Sequence, residues 1–115
     1  MADGPVPRDP VVLSPDSPLV IGGRAEAYEQ SLEALFQQGH RHVITDLAKV
    51  PHIDSMGVRA LVRGYTSAQR LGGTFKLVAP AARVRKLLGI ARLDTVFQIY
   101  DSLDAAMASL PSVPR

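Results

Sequence analysis

The segment running from residue 43 to residue 78 constrains the fold more than any other part of the chain. It opens on an apolar run, Val43-Ile44-Thr45-Asp46-Leu47, and continues through a short connection containing Val50, Pro51 and Ile53. Val58, Leu61, Val62, Tyr65 and Ala68 then recur at the spacing of an amphipathic helix, closed by Gly72 and Gly73. Thr74-Phe75-Lys76-Leu77-Val78 has strand composition. Strand, helix and strand in this order are expected to form a right-handed parallel crossover, because a right-twisted strand feeding a right-handed helix packs back only that way. The run at 43–47 reads as a buried central strand, since a strand covered on both faces is apolar without alternation.

The helix is expected to begin at about Ser55, inside the tetrapeptide Asp54-Ser55-Met56-Gly57. Serine or aspartate serves there as an N-cap, its side-chain oxygen accepting from a backbone N–H that the helix leaves unpaired. The same geometry leaves a hydroxyl at the mouth of a strand–helix unit, where the helix dipole favours added negative charge. Gly57 is small enough to let another chain approach. Ser55 therefore reads either as a cap or as a modification site, and Asp54 either as an orienting or partner-contacting group or as the cap itself. Arg59, Arg63 and Arg70, at spacings of four and seven, fall on one side of this helix. They form either a solvated face or a stripe that docks on an acidic partner, with Arg59 one turn beyond Ser55 and within reach of a phosphate placed there.

The flanking sequence completes a single α/β domain. Val11-Val12-Leu13 and Leu19-Val20-Ile21 bracket Ser14-Pro15-Asp16-Ser17-Pro18, whose turn chemistry predicts a hairpin. Gly22-Gly23 breaks the chain. Tyr28, Leu32, Leu35 and Phe36 share one helical face that Gly39 ends. Pro80 suits the first turn of a further helix, with Val84, Leu87 and Leu88 inward and Gly89 at its end. A last strand is expected at 96–99. Asp101-Ser102-Leu103-Asp104 has the form of a capped start for a helix through Ala105, Ala106, Met107 and Leu110 to Pro111. The expected architecture is a small mixed sheet of four or five strands with about four helices packed on it. Residues 11–110 make the domain, between a flexible tail at 1–10 and a C-terminal tail at 111–115. A chain of 115 residues supports one core and not two.

Composition and motif spacing exclude several function classes. Apolar residues make 46% of the chain against 21% charged, as in globular rather than disordered proteins. A formal net charge of +2, with three Phe, three Tyr and no Trp, supports neither phosphate-backbone binding nor a base-stacking platform, so no direct nucleic-acid partner is expected. No cysteine occurs, which removes disulfides and thiolate chemistry and fits a reducing compartment. The proline- and charge-bearing start is no signal peptide, and the apolar stretches are far too short for membrane insertion, so the expected setting is the cytoplasm. Ser55 and Gly57 match only half of a nucleophile elbow, Ile53 standing where its first glycine belongs, and His52 lacks an orienting group. His40, His42 and His52 with Asp54 follow no known metal spacing. No cofactor motif is present, and the chain is not expected to be an enzyme.

The stretch from Val43 to Val58 resembles the central signature of STAS domains, the anti-sigma factor antagonists of bacteria: an apolar strand, Asp46-Leu47, a gap to Val50, then Ile53 followed by Asp54-Ser55-Met56-Gly57. Gly72-Gly73, the strand from Phe75 to Val78, Pro80 and the closing stretch from Ile99 to Leu110 fit the family's second half, so the resemblance spans about 11–110. It implies that Ser55 is a regulatory serine, phosphorylated by a partner that is both anti-sigma factor and serine kinase. The unmodified antagonist would bind that partner and free the sigma factor, the phosphorylated form would be released, and a serine phosphatase would reset it. The expected contact surface comprises Asp54, Met56, Gly57 and Glu26 around Ser55, to which helical spacing adds Arg59, Arg63 and Arg70. Two of these depart from the family pattern: Arg59 stands where a small residue, usually glycine, is common, and Glu26 near where many members carry aspartate. STAS domains also serve as non-catalytic subunits of signalling scaffolds and of membrane lipid transporters, which is the alternative use.

Overall fold

The computed structural model describes residues 10–110, and the tails expected at 1–10 and 111–115 lie outside them apart from Pro10. Strands and helices alternate: β1 (Val11–Leu13), α1 (Arg24–Gln37), β2 (His42–Asp46), α2 (Ser55–Arg70), β3 (Thr74–Val78), α3 (Ala82–Ile90), β4 (Gln98–Tyr100) and α4 (Leu103–Ala108). The four strands form one sheet in the order β1-β2-β3-β4. In its register Val43 lies between Val11 and Phe75, and Thr45 between Leu13 and Leu77.

The strand period of two divides the core. Val43 and Leu47 from the β2 segment, with Phe75 and Leu77 from β3, pack against Tyr28, Leu32, Ala60, Leu61, Val84 and Leu88 of the helices. Ile44 and Val78 face the other way, onto Ala106 of α4. Val43, Ile44 and Thr45 are fully buried, as expected for the central strand. Tyr28 of α1 bonds Thr45 of β2 through their hydroxyls at 2.5 Å. Burial holds the Tyr28 phenol far above its ordinary range, so it remains a neutral hydrogen-bonding group that ties α1 to the sheet.

The single α/β domain, with four strands and four helices among the described residues, matches the sequence reading, but the sheet they form differs from the mixed one expected. All three strand pairs are parallel. No hairpin forms between Val11–Leu13 and the segment at 19–21; Leu19 instead makes an isolated parallel bridge to Ile53. A hairpin would have left Leu19 on an edge strand. Pairing β1 with β2 and laying Leu19 beside Ile53 buries Leu19 completely, and this long-range burial outweighs local turn chemistry. Pro80 lies just before α3, whose N-cap is Ala81, rather than in its first turn. The last strand starts later than the apolar pattern suggested, because Phe97 is spent in the preceding turn, where its N–H bonds Leu93 O at 2.9 Å. Ser102 caps α4 by accepting from Ala105 N at 3.1 Å.

Because the strands are parallel, the segments that follow their C-terminal ends share one end of the sheet, the usual place for sites in open α/β sheets. The connection into α2, and with it Ser55, opens there.

Candidate functional site

Three buried side chains, Leu47, Val50 and Ile53, pin the connection between β2 and α2 to the core. Val50 N bonds Leu47 O at 3.0 Å, which closes a tight turn. The chain then reaches Asp54 in an extended conformation, φ −111° and ψ −168°, and turns into helix.

Asp54 is the N-cap. Its Oδ1 accepts from Met56 N at 2.9 Å and Gly57 N at 3.2 Å, pairing two of the donors the first helical turn leaves open. Its Oδ2 accepts from Ile21 N at 2.9 Å, a residue of the preceding loop. The Ile21 N–H foremost holds the carboxyl below the ordinary aspartate range; desolvation opposes it, and the N–H groups of Gly57 and Met56 add to the lowering.

Ser55 is consequently the first residue of the helix and not its cap. Its side chain is exposed, and the hydroxyl makes no hydrogen bond among the described residues. The two functions that sequence left open for one residue are divided between two: capping falls to Asp54, while the exposed hydroxyl belongs to Ser55. Met56 is half-buried beside it.

Gly57 is buried against the protein's own chain. A Cβ at this position would press into the Leu19 carbonyl oxygen and lie 2.9 Å from the Ile53 Cβ. The close approach anticipated for a second chain is therefore made by the Leu19 segment. Two backbone bonds lash that segment down: Leu19 N to His52 O at 3.3 Å and Asp54 N to Leu19 O at 3.2 Å.

Glu26, in the first turn of α1, accepts from Gly22 N at 3.3 Å. Asp54 and Glu26 thus hold consecutive amides of the same loop, which brings Glu26 to the α2 start by a route its sequence position does not reveal. Between these two anchors Ile21 is 66% exposed. Ile21 is the residue the sequence missed. Its composition reads as a strand with Leu19 and Val20, and the signal that could have placed it in a turn is its position directly before Gly22-Gly23.

The arginine stripe divides. Arg59 is exposed and makes no ion pair among the described residues. Arg63 pairs with Glu29 of α1 at 3.1 Å. Arg63 and Arg70 line a cleft of about 500 Å³ between α1 and α2, floored by Leu32 and Phe36 and away from the Ser55 end. Among the described residues no three His, Asp or Glu side chains gather as a metal site, and His42 Nδ1 is 2.9 Å from Thr74 Oγ1. No helix of the described residues is long and apolar enough to cross a membrane.

This arrangement has close counterparts. The family model for the STAS domain matches residues 3–106. The chain belongs to the STAS family. A protein of Thermotoga neapolitana described as a candidate anti-sigma factor antagonist is 30% identical over 100 residues, covering 87% of this chain and 88% of its own. The crystal structure of a candidate antagonist from Thermotoga maritima superposes with a TM-score of 0.80 at 28% identity, over 84% of this chain and 83% of that one. A sulfate transporter family protein from Wolinella succinogenes shares the STAS fold at a TM-score of 0.76 and 21% identity, over 91% and 87% of the two chains. The fold therefore serves both antagonist-named and transporter-family proteins, and function must be argued from this STAS domain's own site.

Proposed function

We propose that this STAS domain is an anti-sigma factor antagonist switched by phosphorylation of Ser55. In the unmodified form the end of the domain around Ser55 binds an anti-sigma factor that is also a serine kinase, and the sigma factor is released. Phosphorylation ends that contact, and a serine phosphatase restores it. The domain acts in the cytoplasm as a binding module and catalyses no reaction itself.

The observation that carries this reading is the separation of Asp54 from Ser55. A serine needed as the cap would lose stability when modified. Here the cap is Asp54, and the neighbouring hydroxyl is exposed and unbonded among the described residues. A phosphoryl group can then be added without unpicking the helix start, at a position where the helix dipole favours an anion. It brings about −1.5 to −2 units of charge to a surface already carrying the Asp54 carboxylate, enough to turn a complementary contact into a repulsive one. The relatives described as antagonists support the same reading.

The test is incubation with purified anti-sigma factor kinases of the source organism and Mg·ATP, followed by mass spectrometry of the Ser55 peptide. Phosphate is expected on Ser55. Ser55→Ala should bind but not be phosphorylated, and Ser55→Asp should bind weakly. Full stoichiometric phosphorylation of Ser55→Ala would refute the assignment. Tight binding with no phosphorylation by any such kinase would favour the scaffold or transporter-subunit use instead.

A further inference from the structure

Among the described residues, Ile21 is the most exposed large apolar side chain on the Ser55 end of the domain. Single exposed hydrophobes are ordinary on protein surfaces, but this one is held in place. Its own N–H is bonded to Asp54 Oδ2 and the next amide to Glu26. Two residues upstream the chain is fixed by the Leu19 bridge to Ile53 and by the bond from Asp54 N to Leu19 O. Immediately after it, Gly22 at φ +72° turns the chain away toward α1. A loop built this way holds an apolar side chain outward without the ordering cost that a mobile loop would incur on binding.

We propose that Ile21 is the apolar anchor of the contact with the anti-sigma factor, entering an apolar pocket beside that protein's phosphoryl-transfer site. The inference rests on the reading of Ser55 given above. A protein that delivers a phosphoryl group to Ser55 must cover the residues around it. An interface of ordinary size takes about 800 Å² from each partner, and Asp54, bonded to Ile21, is the immediate neighbour of Ser55. Ile21 is then buried in any complex competent for transfer. The surroundings fit the same occupant: Arg24 and Arg59 are exposed near the starts of α1 and α2, so an acidic rim around the apolar pocket would be complementary. Asp54 is a positioning residue in this scheme, since one carboxylate oxygen caps the helix bearing Ser55 while the other holds the loop bearing Ile21. Acceptor and anchor are therefore fixed relative to one another.

The test uses the full chain with the kinase that phosphorylates Ser55. Ile21→Ala and Ile21→Gln should raise both the Kd for that kinase and the KM for Ser55 phosphorylation about ten-fold or more, the range of interface anchors. Meanwhile kcat stays within about two-fold and the melting temperature is unchanged. Ile21→Leu, which keeps the apolar volume, should recover most of the affinity. Wild-type affinity and KM in both polar and truncated variants would overturn the anchor while leaving Ser55 as acceptor. A fall in melting temperature or kcat alone would also overturn it, making Ile21 structural. Failure of the wild-type protein to bind or be phosphorylated would remove both readings together.

Discussion

Gly57→Ala distinguishes a glycine that serves the protein's own packing from one that makes room for a partner. At a solvated helical position the substitution stabilises by about 1 kcal/mol, because alanine loses less backbone freedom on folding. The surroundings of Gly57 reverse the sign. The new methyl would overlap the Leu19 carbonyl oxygen and meet the Ile53 Cβ at 2.9 Å and the Leu19 Cβ at 3.1 Å. None of these can give way cheaply, because Leu19 is fully buried and both its backbone groups are bonded.

Overpacking against fixed backbone reaches about 3 kcal/mol. Subtracting about 1 kcal/mol of propensity leaves a net loss of about 2 kcal/mol. For a domain of this size one kcal/mol corresponds to about 4 °C, so the melting temperature should fall by about 8 °C, measurable by circular dichroism. Relief of the clash also pushes the Leu19 segment off α2, so the Ile21 amide should exchange its proton faster than in the wild type. An unchanged or higher melting temperature would refute the reasoning and return Gly57 to the partner surface.

Two further outcomes follow from the same geometry. The folded pKa of Asp54 lies below the ordinary aspartate value, so the stability from its ionised form is fully present above that ordinary value and lost as pH falls through the lowered folded one. Asp54→Asn, which caps but does not titrate, should therefore show a shallower acid limb of stability against pH in urea titrations, and an equally steep limb would reassign that titration elsewhere. Glu29 already offsets the charge of Arg63, whereas Arg59 has no such partner among the described residues. Arg59→Ala should thus lower the rate of association with the kinase, and its dependence on salt, more than Arg63→Ala, while Arg63→Ala changes stability by no more than about 0.5 kcal/mol. Equal rate effects in stopped-flow measurements would restore a continuous stripe.

What was legible in sequence was whatever local patterning decides. Thr74–Val78 and the start of α2 at Ser55 fell where the apolar periods placed them. The burial of Val43 and Ile44 followed from an apolar run that never alternates. What sequence misassigned depended on contacts between distant segments. The proline-rich turn at 14–18 is equally compatible with a hairpin and with a loop leading to a parallel bridge. Only the burial of Leu19 beside Ile53 selects the second. Phe97 has strand composition, yet it is used in a turn where its ring packs edge-on against Tyr65 with centroids 5.8 Å apart.

The candidate site shows the same division more sharply. Asp54 and Ser55 were both visible as helix-start residues, but which one caps is a question of a single residue in phase, settled by where the carboxylate finds donors. Two of its three donors lie in its own first turn, and the third, Ile21, arrives from another part of the chain. The arginine stripe is qualified for a related reason. Spacing gives the faces of an isolated helix and says nothing of what stands opposite them. Arg59, Arg63 and Arg70 do share a side, but α1 lies against α2 and sets Glu29 opposite Arg63. Of the three, Arg59 alone combines proximity to Ser55 with a charge that makes no ion pair among the described residues, so the electrostatic part of the proposed contact contracts toward the helix start. Its proposed apolar part lies on a loop whose composition reads as a strand. The surface so proposed, with Ser55, Arg59 and Ile21 linked through Asp54, is smaller than the one spacing implied and draws on two segments rather than one.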